Sequence, residues 1–198
     1  MPRQQAERTT GADYLLLFLY LNGKEPIKSA VRLTKMMFLF EKEVVPILRK
    51  KGATIDDSDL PDFRPYDYGP FSKDVYEQVE LFQSIEFIRV RDLKVKEEMS
   101  EVDDWEEPAF LNEMESQDYE NCRDGKFMQY ELLPQGELYV NQKIKDHVGL
   151  DCMEILSKFK TKIIRTPIKA ILRYVYTTYP EMTEKSLIKK QVLGNGEG

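Results

Sequence analysis

One histidine (His147), one tryptophan (Trp105) and two cysteines (Cys122 and Cys152) occur in 198 residues. So few ligands exclude a histidine-rich metal site, and two thiols do not make a disulfide framework. A reducing, cytoplasmic setting follows as the expectation. The phosphate-binding GxxxxGK[ST] and GxGxxG patterns, HExxH and paired CxxC are all absent from the chain. Carboxylates are plentiful, but no spacing selects a catalytic pair. The sequence therefore predicts no catalytic, cofactor-binding or metal-binding residue, no cofactor and no enzyme activity. The longest apolar run, Tyr14 to Leu21, is too short to cross a bilayer as a helix. It is followed by Asn22-Gly23-Lys24-Glu25-Pro26, a helix stop and turn, where a secretory signal would need small residues for cleavage. It reads as a buried first helix, and no membrane association is expected.

Lysine and arginine are missing from residues 97 to 120, which hold eleven carboxylates: Glu97, Glu98, Glu101, Asp103, Asp104, Glu106, Glu107, Glu113, Glu115, Asp118 and Glu120. The whole chain carries a formal charge of -6, so the remainder is +5. Net acidity disfavours indiscriminate binding to DNA or anionic membranes. Two readings of the run stand side by side. It is either a solvated loop or a recognition loop facing a basic partner, with Trp105, Phe110 and Leu111 as apolar anchors and Asp103, Asp104, Trp105, Glu106 and Glu107 at its centre.

An apolar content of 41% fits one folded domain over residues 1–198, with a core from about 12 to 188. Residues 11 to 22 form a helix apolar on nearly every side, which belongs in the middle of a core. Leu33, Met37, Phe40, Val44 and Leu48 mark a long helix from Ile27 or Ser29 to Lys51, and Gly52 stops it. Pro46 interrupts that helix and predicts a kink near Glu43 to Val45. Phe63 to Pro70 reads as one extended segment with Tyr66 and Tyr68 on the same face. It runs into a helix capped by Ser72, whose stripe is Phe71, Val75, Val79 and Phe82. Ile85 to Leu93 and Phe127 to Leu133 read as partner strands, joined by a long loop over about 94–126. A helix follows from Leu133 through Asp146. Two more have stripes Cys152, Leu156, Phe159, Ile163 and Ile168, Ile171, Leu172, Val175, Tyr179, the second opened by Thr166-Pro167. The expected fold is α+β, mainly α-helical: a winged-helix-like core with a small antiparallel hairpin and additional C-terminal helices.

Four stretches carry a resemblance: Lys35 within LTKMMFLFE, the Tyr68-Gly69-Pro70-Phe71-Ser72 turn, the segment from Tyr130-Glu131-Leu132 to Gly136-Glu137, and the ending LRYVYTTYPEMTEKS. In this order and spacing they resemble the Panacea (SocA-like) and YwgA-like antitoxin-associated domains. The resemblance implies a toxin-antitoxin role. The chain would be an antitoxin-like module that neutralises a toxin or other effector by stoichiometric binding, with an acidic surface where nucleic acid would lie. Lys35, Tyr68, Gly69, Pro70 and Ser72 are the motif residues and are expected to be structural.

Other side chains have two readings each. The central tyrosines beside Arg64 suit either stacking on bases or core packing. Lys158, Lys160, Lys162, Arg165, Lys169 and Arg173 make either a phosphate-facing patch or a solvated helix face. Met36 and Met37 line a groove or fill the core, and Cys152 reads as an inert core thiol. The rival functions are a winged-helix DNA-binding transcriptional regulator, with DNA as partner, and an enzyme with a carboxylate metal site in the acidic run.

Overall fold

The computed structural model describes residues 9–93 and 127–194, and the acidic run with Cys122 lies outside them. The fold is mainly helical α+β with a small antiparallel sheet. Helix α1 (Gly11–Lys24) opens on a capping box: the Thr10 hydroxyl accepts from the Asp13 amide, and the Asp13 carboxylate accepts from the Thr10 amide at 2.8 Å. Leu15, Leu16, Leu17, Phe18 and Leu19 are all buried, so nearly every face of α1 meets protein. Burial of each such side chain contributes roughly 1.5–3 kcal/mol.

A two-residue strand that the sequence analysis misses, β1 (Ile27–Lys28), precedes α2 (Ala30–Leu39), which Ser29 caps through its hydroxyl to the Arg32 amide. The kink expected from Pro46 takes the form of one wide turn, Phe40–Val44, in which the Val45 amide reaches back to the Phe40 carbonyl. Spacing the bonds five residues apart shifts the ladder just before the proline, whose nitrogen has no hydrogen to give. Phe40 anchors the turn between Tyr14 (ring centroids 4.7 Å apart) and Phe18 (5.3 Å). Helix α3 (Val45–Lys50) continues to Gly52, at φ +93°.

The segment from Phe63 to Pro70 is not one extended strand. It folds into a hairpin, β2 (Arg64–Tyr66) against β3 (Gly69–Phe71), with Tyr66 opposite Gly69. Turning at Asp67 and Tyr68 places the two tyrosines in different surroundings: Tyr68 is buried, Tyr66 is exposed. Helix α4 (Lys73–Ser84) buries Val75, Val79 and Phe82, while Phe71 is only half-buried. The Ser72 hydroxyl makes no capping bond, contrary to expectation. It is buried without a hydrogen-bond partner.

Strand β4 (Ile88–Leu93) starts later than expected, because Glu86 takes φ +59° and leaves Ile85 exposed at the end of α4. It pairs with β5 (Phe127–Leu132) from Ile88 opposite Leu132 to Leu93 opposite Phe127, and β5 also pairs with β1, giving the order β1-β5-β4. After β5 come α5 (Pro134–Tyr139), a second wide turn Val140–Ile144, and α6 (Lys145–Val148). Gly136 sits where a Cβ would collide with the Phe87 carbonyl oxygen, so the close approach of α5 to the chain entering β4 requires glycine.

Helix α7 (Leu150–Arg165) buries Cys152, Leu156, Lys160 and Ile163 against α1. Helix α8 (Ile168–Thr178) buries Ile168, Ile171, Leu172, Val175 and Tyr176. Thr166 does not cap α8. Its hydroxyl donates backward to the Lys162 carbonyl at 2.6 Å. A short 3-10 turn at Pro180–Thr183 and α9 (Lys189–Leu193) complete the described chain.

Candidate functional site

The motif residues converge on the β2–β3 hairpin. Lys35, buried in α2, donates from Nζ to the Pro70 carbonyl at 2.9 Å. Gly69 takes φ +83°, and a Cβ there would lie 3.0 Å from the Tyr176 ring of α8. The hydroxyls of Tyr176 and Ser186 are 2.7 Å apart. Ser186 in turn donates to the Asp67 carbonyl at 3.1 Å, and the Leu187 amide donates to the same oxygen at 2.9 Å. Three stretches far apart in sequence, LTKMMFLFE, the hairpin and the LRYVYTTYPEMTEKS ending, therefore meet at one place. Tyr68, Gly69, Pro70 and Ser72 are all buried there, so none presents a group to a ligand from solution. The fourth stretch holds the sheet: Tyr130 is buried in β5 opposite Ile27 and Val90.

Among the described residues the buried cations, Lys35 and Lys160, both serve main-chain oxygens. Lys160 is fully buried and donates to the carbonyls of Leu21 at 2.8 Å and Glu25 at 2.6 Å, where α1 unwinds through Asn22 (φ 57°) and Gly23 (φ 69°). Its pKa is lowered to about 8, chiefly by loss of hydration and against the attraction of Glu25. Arg32 similarly holds the Ile163 and Thr166 carbonyls at the end of α7. Lys160 thus drops out of the phosphate-facing patch considered from the sequence, and Lys158 in that patch is paired with Glu154 at 2.6 Å. Neutralised or buried, these two add little to any pull on phosphates.

Around the Phe40–Val44 turn lies a shallow pocket of about 250 Å³, lined by Glu41, Lys42, Asp57, Leu60, Pro61, Asp62 and Phe63. Glu41 pairs with Lys42 at 2.7 Å, and Glu43 accepts from the Tyr179 hydroxyl at 3.2 Å. Proximity to Glu43 and burial hold the Tyr179 phenol above its ordinary range, burial being the larger cause. Among the described residues no group of three or more His, Cys, Asp or Glu side chains is arranged to hold a metal ion. Cys152 is buried, and burial, then Asp151, raise its thiol pKa, which keeps it protonated and a poor nucleophile. His147 is exposed, with Nδ1 2.8 Å from the Lys143 carbonyl. Met36 and Met37 are fully buried, which makes them core rather than groove.

The partner-facing residues proposed from sequence, Asp103, Asp104, Trp105, Glu106 and Glu107, lie outside the described residues. Their attachment is nevertheless fixed. Leu93 and Phe127 are directly paired, so residues 94–126 leave and rejoin the fold at adjacent points on one hairpin.

One surface escaped the sequence analysis. Tyr66, Phe71 and Tyr76 stack in a ladder, with centroids 5.1 and 5.2 Å apart and ring planes tilted by 32° and 21°. Position +4 from Tyr76 is Glu80, and the same outward arc of α4 carries Lys73, Glu77 and Leu81. Only the hairpin fold makes the ladder visible, since Tyr66 and Phe71 approach by antiparallel pairing.

Comparisons of this chain with protein-family models, with curated proteins and with solved structures found no match. No described helix is long and apolar enough to cross a membrane.

Proposed function

We propose that this chain is an antitoxin-like protein-binding module that neutralises a basic toxin or other effector by stoichiometric binding, without catalysis or a bound cofactor. The observation that carries the reading is the charge segregation. Eleven carboxylates in residues 97 to 120, a stretch without lysine or arginine, are inserted between two directly paired residues of a hairpin on a chain that is otherwise +5. A β4–β5 connection needs only a few residues, so the length and composition of the insertion serve something other than closure. Dense negative charge speeds the encounter with a basic partner and mimics a phosphate backbone, while Trp105 supplies an apolar anchor. Lys35, Gly69 and Pro70 support this division of labour, because they are consumed in holding the hairpin to α2 and α8 and leave recognition to the surface.

The alternative is a winged-helix DNA-binding regulator, favoured by the sheet order β1-β5-β4 with α4 directly before the hairpin. In that arrangement α4 would be the groove-reading helix. Its only cation is Lys73, against Asp74, Glu77 and Glu80, so phosphates would be repelled where they must approach. The test is co-expression with the product of the neighbouring gene. Rescue of growth from a toxic basic product, together with a 1:1 complex in solution, supports the module. A chain that leaves toxicity unchanged yet shifts its own upstream DNA supports the regulator.

A further inference from the structure

The geometry points to a second recognition surface: the ladder Tyr66, Phe71, Tyr76 and the outer arc of α4 dock an arginine-bearing segment of a protein partner. The inference rests on the protein-binding reading, but it does not rest on the acidic run. Two independent features choose the occupant. The first is the ring stack. Tyr66 is 43% exposed at the end of the ladder, and an exposed tyrosine face attracts a guanidinium, which stacks flat on it. The second is the charge beside the stack. Lys73 is engaged by Glu77 at 2.6 Å and Arg64, opposite Phe71, by Asp62 at 2.8 Å, so the charge left over is that of Asp74 and of Glu80, one turn on from Tyr76.

Apolar anchors continue the same stripe. Leu81 is 55% exposed and Ile85 44%, one and two turns beyond Glu77, whereas the buried side of α4 is fully occupied by Val75, Val79 and Phe82. A surface that offers rings, carboxylates and aliphatic side chains in sequence along one direction suits an extended or helical peptide in which arginines alternate with apolar residues. With Arg64 held by Asp62, nucleic acid would find the rings but little uncompensated positive charge, and the phosphates flanking a stacked base would face Glu80. Lysine fits less well than arginine, having no plane to lay on Tyr66.

The test is a titration of the full-length, 15N-labelled chain with a short acetylated peptide of alternating arginine and leucine. A lysine-leucine counterpart and oligothymidylate are titrated in parallel. The arginine peptide is expected to shift amides of β2, β3 and α4 and to bind more tightly than the lysine peptide, with no response in α4 to oligothymidylate. The triple variant Tyr66→Ala, Glu80→Lys, Leu81→Ser changes exposed side chains only. With its thermal melt unchanged, it should bind the arginine peptide about tenfold more weakly. Shifts confined to residues 94–126 would overturn this surface while leaving the acidic-run reading intact. No shifts at all, an equal response to the lysine peptide, or wild-type affinity in the triple variant would also overturn it.

Discussion

Lys35 Nζ and the Pro70 carbonyl oxygen are 2.9 Å apart in the interior, joining the middle of α2 to the β2–β3 hairpin. Pro70 pairs with Pro65 across that hairpin, and neither proline has an amide to offer. In the interior, Lys35 supplies the donor to the Pro70 carbonyl. Lys35→Met, which keeps most of the volume, should lower stability by about 1–3 kcal/mol, the usual penalty for stranding a buried acceptor. Urea unfolding measures it, and an unchanged midpoint would show that the contact contributes nothing.

Gly69 faces two constraints at once, φ +83° and the Tyr176 ring 3.0 Å from where a Cβ would stand. Gly69→Val should cost at least about 2 kcal/mol and lower the melting temperature by several degrees, through backbone strain and displacement of Tyr176. Gly69→Ala should cost less but not zero. Identical melting curves for all three proteins would refute a special backbone role.

Lys160 gives a pH signature. Its folded pKa is about 8, below the ordinary lysine value of 10.5, so the unfolded chain holds more protons between these values. Folding carries the full penalty of the buried charge below pH 8, and the penalty fades as pH rises toward 10.5. The contribution of Lys160 to stability should therefore improve by about 2 kcal/mol between pH 8 and pH 10. Cys152 opposes this trend, since its raised thiol pKa favours the unfolded state once free thiols ionise. The readout is accordingly the difference between wild type and Lys160→Met in denaturant titrations. A difference that stays flat with pH would mean that the lysine is charged in the fold at its ordinary strength.

Local rules fared well where one element decided its own fate. The stop at Gly52, the interruption before Pro46 and most of the stripes of α4, α7 and α8 follow from helical period and from what proline and glycine permit, although Phe159 is only half-buried while Lys160 is buried, and Tyr179 lies past the end of α8. They failed where distant chain decided. Phe63 to Pro70 alternates like a strand, but Asp67 is held by Ser186 and Leu187 from the C-terminal ending, which turns the segment into a hairpin. β1 is two residues long and exists only because β5 offers an edge. Lys160 looked like part of a solvated face because its hydrogen-bond partners, Leu21 and Glu25, are remote in sequence. The acidic insertion was legible from composition alone, whereas the aromatic ladder required the hairpin.

The central claim, that the acidic insertion is the recognition element, is tested most directly by excising it. Because Leu93 and Phe127 are paired, replacing residues 99 to 120 with a short Gly-Ser linker leaves the hairpin register intact. The measurement is the dissociation constant for the neutralised partner, at low and high salt, for wild type, Trp105→Ala and the excised chain. Association with wild type should slow steeply with salt, Trp105→Ala should cost at least about 2 kcal/mol mainly through faster dissociation, and the excised chain should fold but fail to bind. An excised chain that folds and binds with full affinity would contradict the account and reduce the eleven carboxylates to solvated filler.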